Sequence, residues 1–163
     1  FHNHMTVDLV MKFFPYGEPT ANRLIDEFRR RIFEEVAASD LPGLIFTYVW
    51  ALDDPGDKAC VDGYCAIFRQ RGARVHFVEL EATQAERLIR NQSDYRLAHK
   101  PSKRNLASSE AHLLEIDTRY QMNSRQDFFY PAQHLKIHNT QIDPDSAAAQ
   151  IVARFGLPSA PRE

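Results

Sequence analysis

Between residues 19 and 39 apolar side chains recur three or four places apart, at Leu24, Ile25, Phe28, Ile32, Phe33 and Val36. Arg29, Arg30, Arg31, Glu34 and Glu35 fall on the complementary, wetter face. That spacing predicts a long amphipathic helix. A shorter helix is predicted in TVDLVMKFF, where Val7, Leu9, Val10, Phe13 and Phe14 keep helical spacing until Pro15 and Gly17 close it. The run LPGLIFTYVWA is different: Leu44, Ile45, Phe46, Tyr48, Val49 and Trp50 form an almost unbroken β-branched and aromatic stretch behind Pro42-Gly43, which predicts a strand buried on both faces. The acidic turn from Asp53 to Asp57 ends it.

Residues 58–71 read as a helix with Val61, Tyr64, Cys65 and Phe68 inward and Gly72 as its stop, and ARVHFVELE reads as a further buried strand. Thr83, with Glu86 three places on, has the form of a capping box at the start of another helix. SSEAHLLEIDTRYQM predicts a helix, HLKIHNT a last strand, and DPDSAAAQIVARFG a final helix capped by Asp143 and closed by Gly156. Phe1 reads as the end of an apolar strand running into HNHMTVDLV. Strands that alternate with helices predict crossover connections, hence an α/β fold: a parallel sheet with helices on both faces. In such sheets ligands sit beyond the carboxyl ends of the strands, so the loops at His2-Asn3-His4, at residues 53–57 and at residues 79–83 are expected to share one rim.

Composition narrows the function classes. With 163 residues, 44% hydrophobic and 26% charged, the chain has the size and apolar content of one globular domain. A formal net charge of −2 argues against a protein that coats nucleic acid, which needs a broad basic surface. No segment approaches the roughly 18 consecutive apolar residues of a membrane span, and no signal peptide opens the chain, so a cytoplasmic protein is expected. Cys60 and Cys65 fit neither a zinc-ligand pair nor a redox pair and read as reduced thiols. His2 and His4, alternating about Asn3, lack the context of a metal signature; His112, His134 and His138 show no ligand spacing, and His76 reads as a core residue. No metal site is expected from protein side chains.

Against this balanced background QSDYRLAHKPSKRNLAS is locally basic. Arg87, Arg90, Arg96, Lys100, Lys103 and Arg104 flank a helix-hostile Pro101, a distribution that lets a hinged flap carry several cations over one polyanion. Guanidinium groups fork onto phosphate oxygens and ammonium groups supply compact charge; phosphoryl transfer consists largely of positioning and neutralising charge.

ERLIRNQSDYRLAHKPSKRN, together with FHNHMTVDLV, LIFTYVWA and LKIHNTQIDPDSAAAQIVARFG, resembles a group of bacterial P-loop kinases that are shikimate-kinase-like and also described as AAA-family ATPases. The resemblance spans nearly the whole chain and is most specific at HKPSKRN. It implies a single kinase-like domain over 1–163, a three-layer sandwich of nucleoside-monophosphate-kinase type with a helical lid at about 87–107. It also implies ATP and Mg2+ as cofactors and a small-molecule acceptor as partner. Carried onto this sequence, Arg90, Arg96, Lys103 and Arg104 become lid cations with a catalytic role. Arg87, Asn139 and Thr140 lie on the nucleotide side, and Asn3, His4 and Asp54 on the acceptor side. Asp53, Asp54 and Asp57 could help hold Mg2+ or orient an acceptor hydroxyl, since hard cations choose carboxylates, but read more readily as ordinary helix-start chemistry.

The sequence departs from that family in one respect. A strand, then G-x-x-x-x-G-K-[ST], then a helix should precede the segment that begins at Phe1, and no such motif occurs in these residues. The expectation is a domain incomplete at its N-terminus, with roughly two dozen or more further residues ahead of Phe1. A nucleotide-binding module without catalysis is the alternative, and RNA binding through the basic stretch a weaker one, since only Tyr95 offers a stacking ring there.

Overall fold

The computed structural model describes residues 1–158. Seven α-helices are found among them: α1 (His4–Val10), α2 (Pro19–Ala38), α3 (Pro55–Arg69), α4 (Gln84–Asn91), α5 (Asp94–His99), α6 (Leu106–Arg119) and α7 (Pro144–Phe155). Two strands, β1 (Phe77–Glu81) and β2 (His134–His138), pair in parallel with Phe77 opposite His134 and Glu81 opposite His138. The described chain gathers into two compact units: Phe1–Val75 with Asn91–Met122, and His76–Arg90 with the chain from Asn123 onward.

The expected α/β sandwich, a parallel sheet of several strands covered by helices on both faces, is not what forms. Of the described residues 56% are helical, with two paired strands in one sheet. The reason is local to the first unit. Residues 44–50 are extended, and beside them Phe1 donates its N-terminal ammonium to Ile45 O at 3.1 Å, Thr47 N–H donates to Phe1 O at 3.2 Å, and Asn3 N–H donates to Thr47 O at 3.1 Å. This is the start of a parallel ladder. It stops after the single bridge His2–Thr47 because Asn3 already has helical φ and ψ and α1 begins at His4; a ladder cannot outlast its partner. Nor is the segment buried on both faces: Phe46, Tyr48 and Trp50 turn inward while Ile45 is 83% exposed.

The inward face completes an aromatic core. Phe33, 1% exposed, meets Phe1, Phe46, Tyr64 and Phe68 with ring centroids 5.0–5.9 Å apart, mostly edge to face, the arrangement that ring quadrupoles favour. Helix α2 begins with Pro19 at its first turn and buries Ala21, Ile25, Arg29 and Phe33, four places apart along one stripe. Arg29, expected on the wet face, lies within it. Its Nε donates to Thr6 Oγ1 at 3.1 Å and its Nη2 to Asn3 O at 3.3 Å, with the guanidinium 5.8 Å from the Phe46 and Tyr48 rings. These bonds fix the N-terminal turn of α1, where His4 stands. A second tie joins α2 to α3: Asp26 accepts from Arg30 Nε at 2.7 Å and from Tyr64 OH at 2.8 Å.

In the second unit Ile137 of β2 and Ala147 and Phe155 of α7 are buried, and His76 stacks on Phe155 at 4.2 Å. Glu79 of β1 accepts from Asn123 Nδ2 at 2.9 Å, from Ser124 N–H at 2.8 Å and from Ser124 Oγ at 2.6 Å, and pairs with His134 and Lys136 at 3.1 and 3.3 Å. Burial alone would raise its pKa; the bonds from Ser124 and Asn123, with the Lys136 charge, outweigh it and hold the carboxyl below its ordinary range. No helix among the described residues is long and apolar enough to cross a membrane.

Candidate anion-binding site

The basic stretch folds as two capped helix ends joined by a tight turn. Ser93 caps α5, its hydroxyl accepting from Arg96 N–H at 3.4 Å. Pro101 starts a single 3-10 turn over Pro101–Lys103, which leads to Asn105, the cap of α6, whose side chain accepts from Ser108 N–H at 3.1 Å. Two helix ends and a tight turn thus carry the cations.

Engagement separates these cations into two kinds. Arg90 is committed: its Nε donates to Glu86 at 2.7 Å and its Nη2 to Asn139 O at 2.7 Å and Thr140 O at 3.3 Å. Arg87 Nε donates to Ala82 O at 3.2 Å, and Thr140 Oγ1 accepts from Thr83 N–H at 3.0 Å. Arg87, Arg90, Asn139 and Thr140 therefore come together at the carboxyl ends of β1 and β2, where their bonds tie α4 to the turn after β2. Arg104 lies in the other unit, exposed, with Nε donating to Leu97 O at 3.0 Å across the end of α5.

Arg96, Lys100 and Lys103 are the second kind. All three are half-buried, and none has a salt bridge among the described residues. Arg96 Nε is buried with no hydrogen-bond partner there. Burial disfavours the charge on each. Arg96 and Lys103 repel Lys100, and Arg96 repels Lys103, so all three pKa values are held below ordinary, with Asp8 the opposing carboxylate for both lysines. A buried guanidinium nitrogen without an acceptor is costly in a protein at rest. Next to two unpaired ammonium groups it forms a place that a multiply charged oxyanion would complete.

One wall of this place is α1. His4 Nδ1 lies 3.2 Å from Asp8 Oδ1 and 3.2 Å from Ser102 Oγ, and Ser102 donates its hydroxyl to Asp8 Oδ1 at 2.5 Å. His2 lies alongside, its ring 6.5 Å from that of His4 and its Nδ1 buried without a partner among the described residues. Burial, then Lys100, lower the His2 pKa; burial lowers that of His4 against the pull of Asp8.

The other candidate residues have structural partners. Asn3 is the cap position of α1 and works through its backbone, its carbonyl accepting from Thr6 Oγ1 at 3.0 Å and from Arg29. Asp54 caps α3 by accepting from Gly56 N–H at 2.7 Å; Asp57 accepts from Tyr48 OH at 2.8 Å and Ala51 N–H at 2.9 Å, and Asp53 from Gln121 N–H at 2.9 Å. No group of three or more His, Cys, Asp or Glu among the described residues is placed to hold a metal ion. Cys60 and Cys65 are both free.

Asp8 and Ser102 escaped the sequence-based site, and Lys100, named there among the basic-stretch cations, was not among the residues carried over from the family. His4 and Asp8 stand one helical turn apart, a spacing visible in HNHMTVD. Comparison with known protein families, with curated proteins and with solved structures finds no match.

Proposed function

We propose that this protein takes part in ATP-dependent phosphotransfer to a small-molecule acceptor, with Arg96, Lys100 and Lys103 as the ligands of the phosphate chain. The observation that carries the reading is the buried, unpartnered Arg96 Nε beside two lysines that form no salt bridge among the described residues. A neutral acceptor could satisfy the Arg96 N–H but not offset three neighbouring cations, and a single carboxylate, Asp8, is already shared with Ser102 and His4. A polyphosphate supplies several oxygens in the spacing that a guanidinium and two ammonium groups can meet together. A nucleoside triphosphate supplies the transferable phosphoryl group; magnesium is then carried chiefly by phosphate oxygens, as is usual for that ion. The chain's own contribution is to seat the phosphates, neutralise charge on them, and hold α1 against them through Arg29. A cytoplasmic setting, where free thiols persist, fits Cys60 and Cys65.

Titration of the full chain with ATP–Mg2+ should give saturable binding. Arg96→Ala should weaken it by about tenfold or more, whereas Arg104→Ala, which removes a bond to Leu97 O, should change affinity by less than about threefold and loosen α5 instead. No saturation at millimolar nucleotide would remove the reading. Tight binding with no transfer to any acceptor, water included, would favour a nucleotide-binding module without catalysis.

A further inference from the structure

The bonds around His4 determine which ring nitrogen carries the hydrogen. Ser102 gives its hydroxyl hydrogen to Asp8 Oδ1, so both groups that lie 3.2 Å from Nδ1, Asp8 Oδ1 and Ser102 Oγ, are acceptors toward it. Nδ1 therefore carries the hydrogen and Nε2 keeps its lone pair. No hydrogen bond engages Nε2 among the described residues, and the His4 side chain retains 12% exposure. It is sheltered yet reachable. The charged groups acting on the ring are Asp8 from α1 and Lys100 and Lys103 from the basic segment; burial outweighs Asp8, the lysines add to burial, and the ring stays neutral at neutral pH.

We propose that His4, oriented by Asp8 and Ser102, is the general base of the phosphotransfer reaction and takes the proton of the acceptor hydroxyl on Nε2. The inference rests on the phosphotransfer reading. In the step itself the hydroxyl proton passes to Nε2 and the oxygen's electron pair forms a bond to the terminal phosphorus of a nucleoside triphosphate. The bond from that phosphorus to the bridging oxygen breaks, its electron pair leaving with the nucleoside diphosphate. The imidazolium, stabilised by Asp8, then releases its proton to water. Because Lys100 and Lys103 face both the ring and the phosphate site, a phosphate chain that neutralises them makes His4 a stronger base as the substrate arrives.

Nitrogen-15 NMR of the histidine rings in the full chain, with inorganic tripolyphosphate as probe and His4 assigned by its loss in His4→Gln, tests this. The free protein should show His4 hydrogenated at Nδ1, and Asp8→Asn should abolish that preference. Saturating tripolyphosphate should raise the His4 titration midpoint by about half a pH unit or more, as two nearby positive charges are neutralised. His4→Gln should keep tripolyphosphate affinity within about twofold while slowing single-turnover ATP cleavage, with water as acceptor, by about 100-fold. If tripolyphosphate binds but His4 is hydrogenated at Nε2, or its midpoint stays fixed, or His4→Gln cleaves at the wild-type rate, the base assignment falls and the phosphotransfer reading stands. A tenfold loss of tripolyphosphate affinity in His4→Gln makes His4 a phosphate ligand and likewise ends the assignment. Wild-type protein that neither binds tripolyphosphate nor cleaves ATP overturns both.

Discussion

A lysine whose neighbours are cations weakens the fold that carries it, and Lys100 and Lys103 both stand in that position beside Arg96. Replacing either with methionine keeps most of the apolar stem and removes the charge, which relieves the repulsion and the burial of an ammonium group. Lys100→Met and Lys103→Met should each raise unfolding free energy by about 0.5–1 kcal/mol, a figure reduced for solvent screening. The same variants should bind tripolyphosphate at least about tenfold more weakly. Denaturant unfolding read beside calorimetric titration checks the pair of outcomes. Lower stability in both variants would mean that the lysines brace the fold, not that they await an anion. Arg29 is the contrasting case. It too is buried without a carboxylate, but Thr6, Asn3 and two aromatic faces satisfy it, so its charge is structural and has no vacancy to offer.

At the scale of elements, what the sequence made legible follows from the range of the interactions. Helices α2, α3 and α7 were readable because their signals are local: proline in the first turn, apolar side chains one turn apart, and Asp143 capping α7 by accepting from Ser146 N–H at 2.9 Å. The cap of α5 at Ser93 is just as local. The sheet was legible only in part: ARVHFVELE and HLKIHNT supply the parallel pair β1 and β2, but the wider sheet depends on long-range pairing. The run at residues 44–50 has strand composition, yet whether it becomes a central strand depends on partners elsewhere in the chain, and the Phe1–Asn3 segment turns helical after one bridge. The site divides along the same line: His4 and Asp8 share a helix turn, whereas Ser102 is 94 residues from Asp8, a distance no periodicity spans. Mutation separates the two readings of residues 44–50. Ile45→Lys and Val49→Lys, on the exposed side, should each change stability by no more than about 0.5 kcal/mol, while Phe46→Ala, which removes a ring packed against Phe1, Phe33 and Tyr64, should cost about 2–4 kcal/mol. Losses of that size at Ile45 and Val49 would show that this face is covered.

For the molecule as a whole, the perturbed groups combine into a pH dependence whose sign can be worked out. His2, His4 and His134 all have folded pKa values below the ordinary 6.5, burial being the largest cause in each. Between that value and the lower folded one, the unfolded chain binds more protons than the native chain, so stability is fully present above about 6.5. It is lost as pH falls toward the folded values. Glu79, depressed below 4.5 by its hydrogen bonds, adds a second loss of the same sign further into acid. At the alkaline end Cys60 and Cys65 are raised above 9.0 by burial; the native chain holds those protons longer, so stability declines as pH rises past 9.0. Lys100 and Lys103, depressed below 10.5, act against that decline. The optimum should therefore lie between about pH 7 and 9, and Tm should drop by several degrees from pH 7.5 to 5.5, the scale of roughly 1–2 kcal/mol for a chain of this length. Tripolyphosphate should shrink that drop, because protonated His2 and His4 add to the positive charge that the anion meets, so its binding strengthens as the pH falls. Thermal unfolding at the two pH values, with and without tripolyphosphate, reads both effects at once. A Tm that is flat over this range would mean that the buried histidines do not resist protonation, and an acid drop that the anion leaves unchanged would mean that the phosphate chain sits elsewhere than beside His2 and His4.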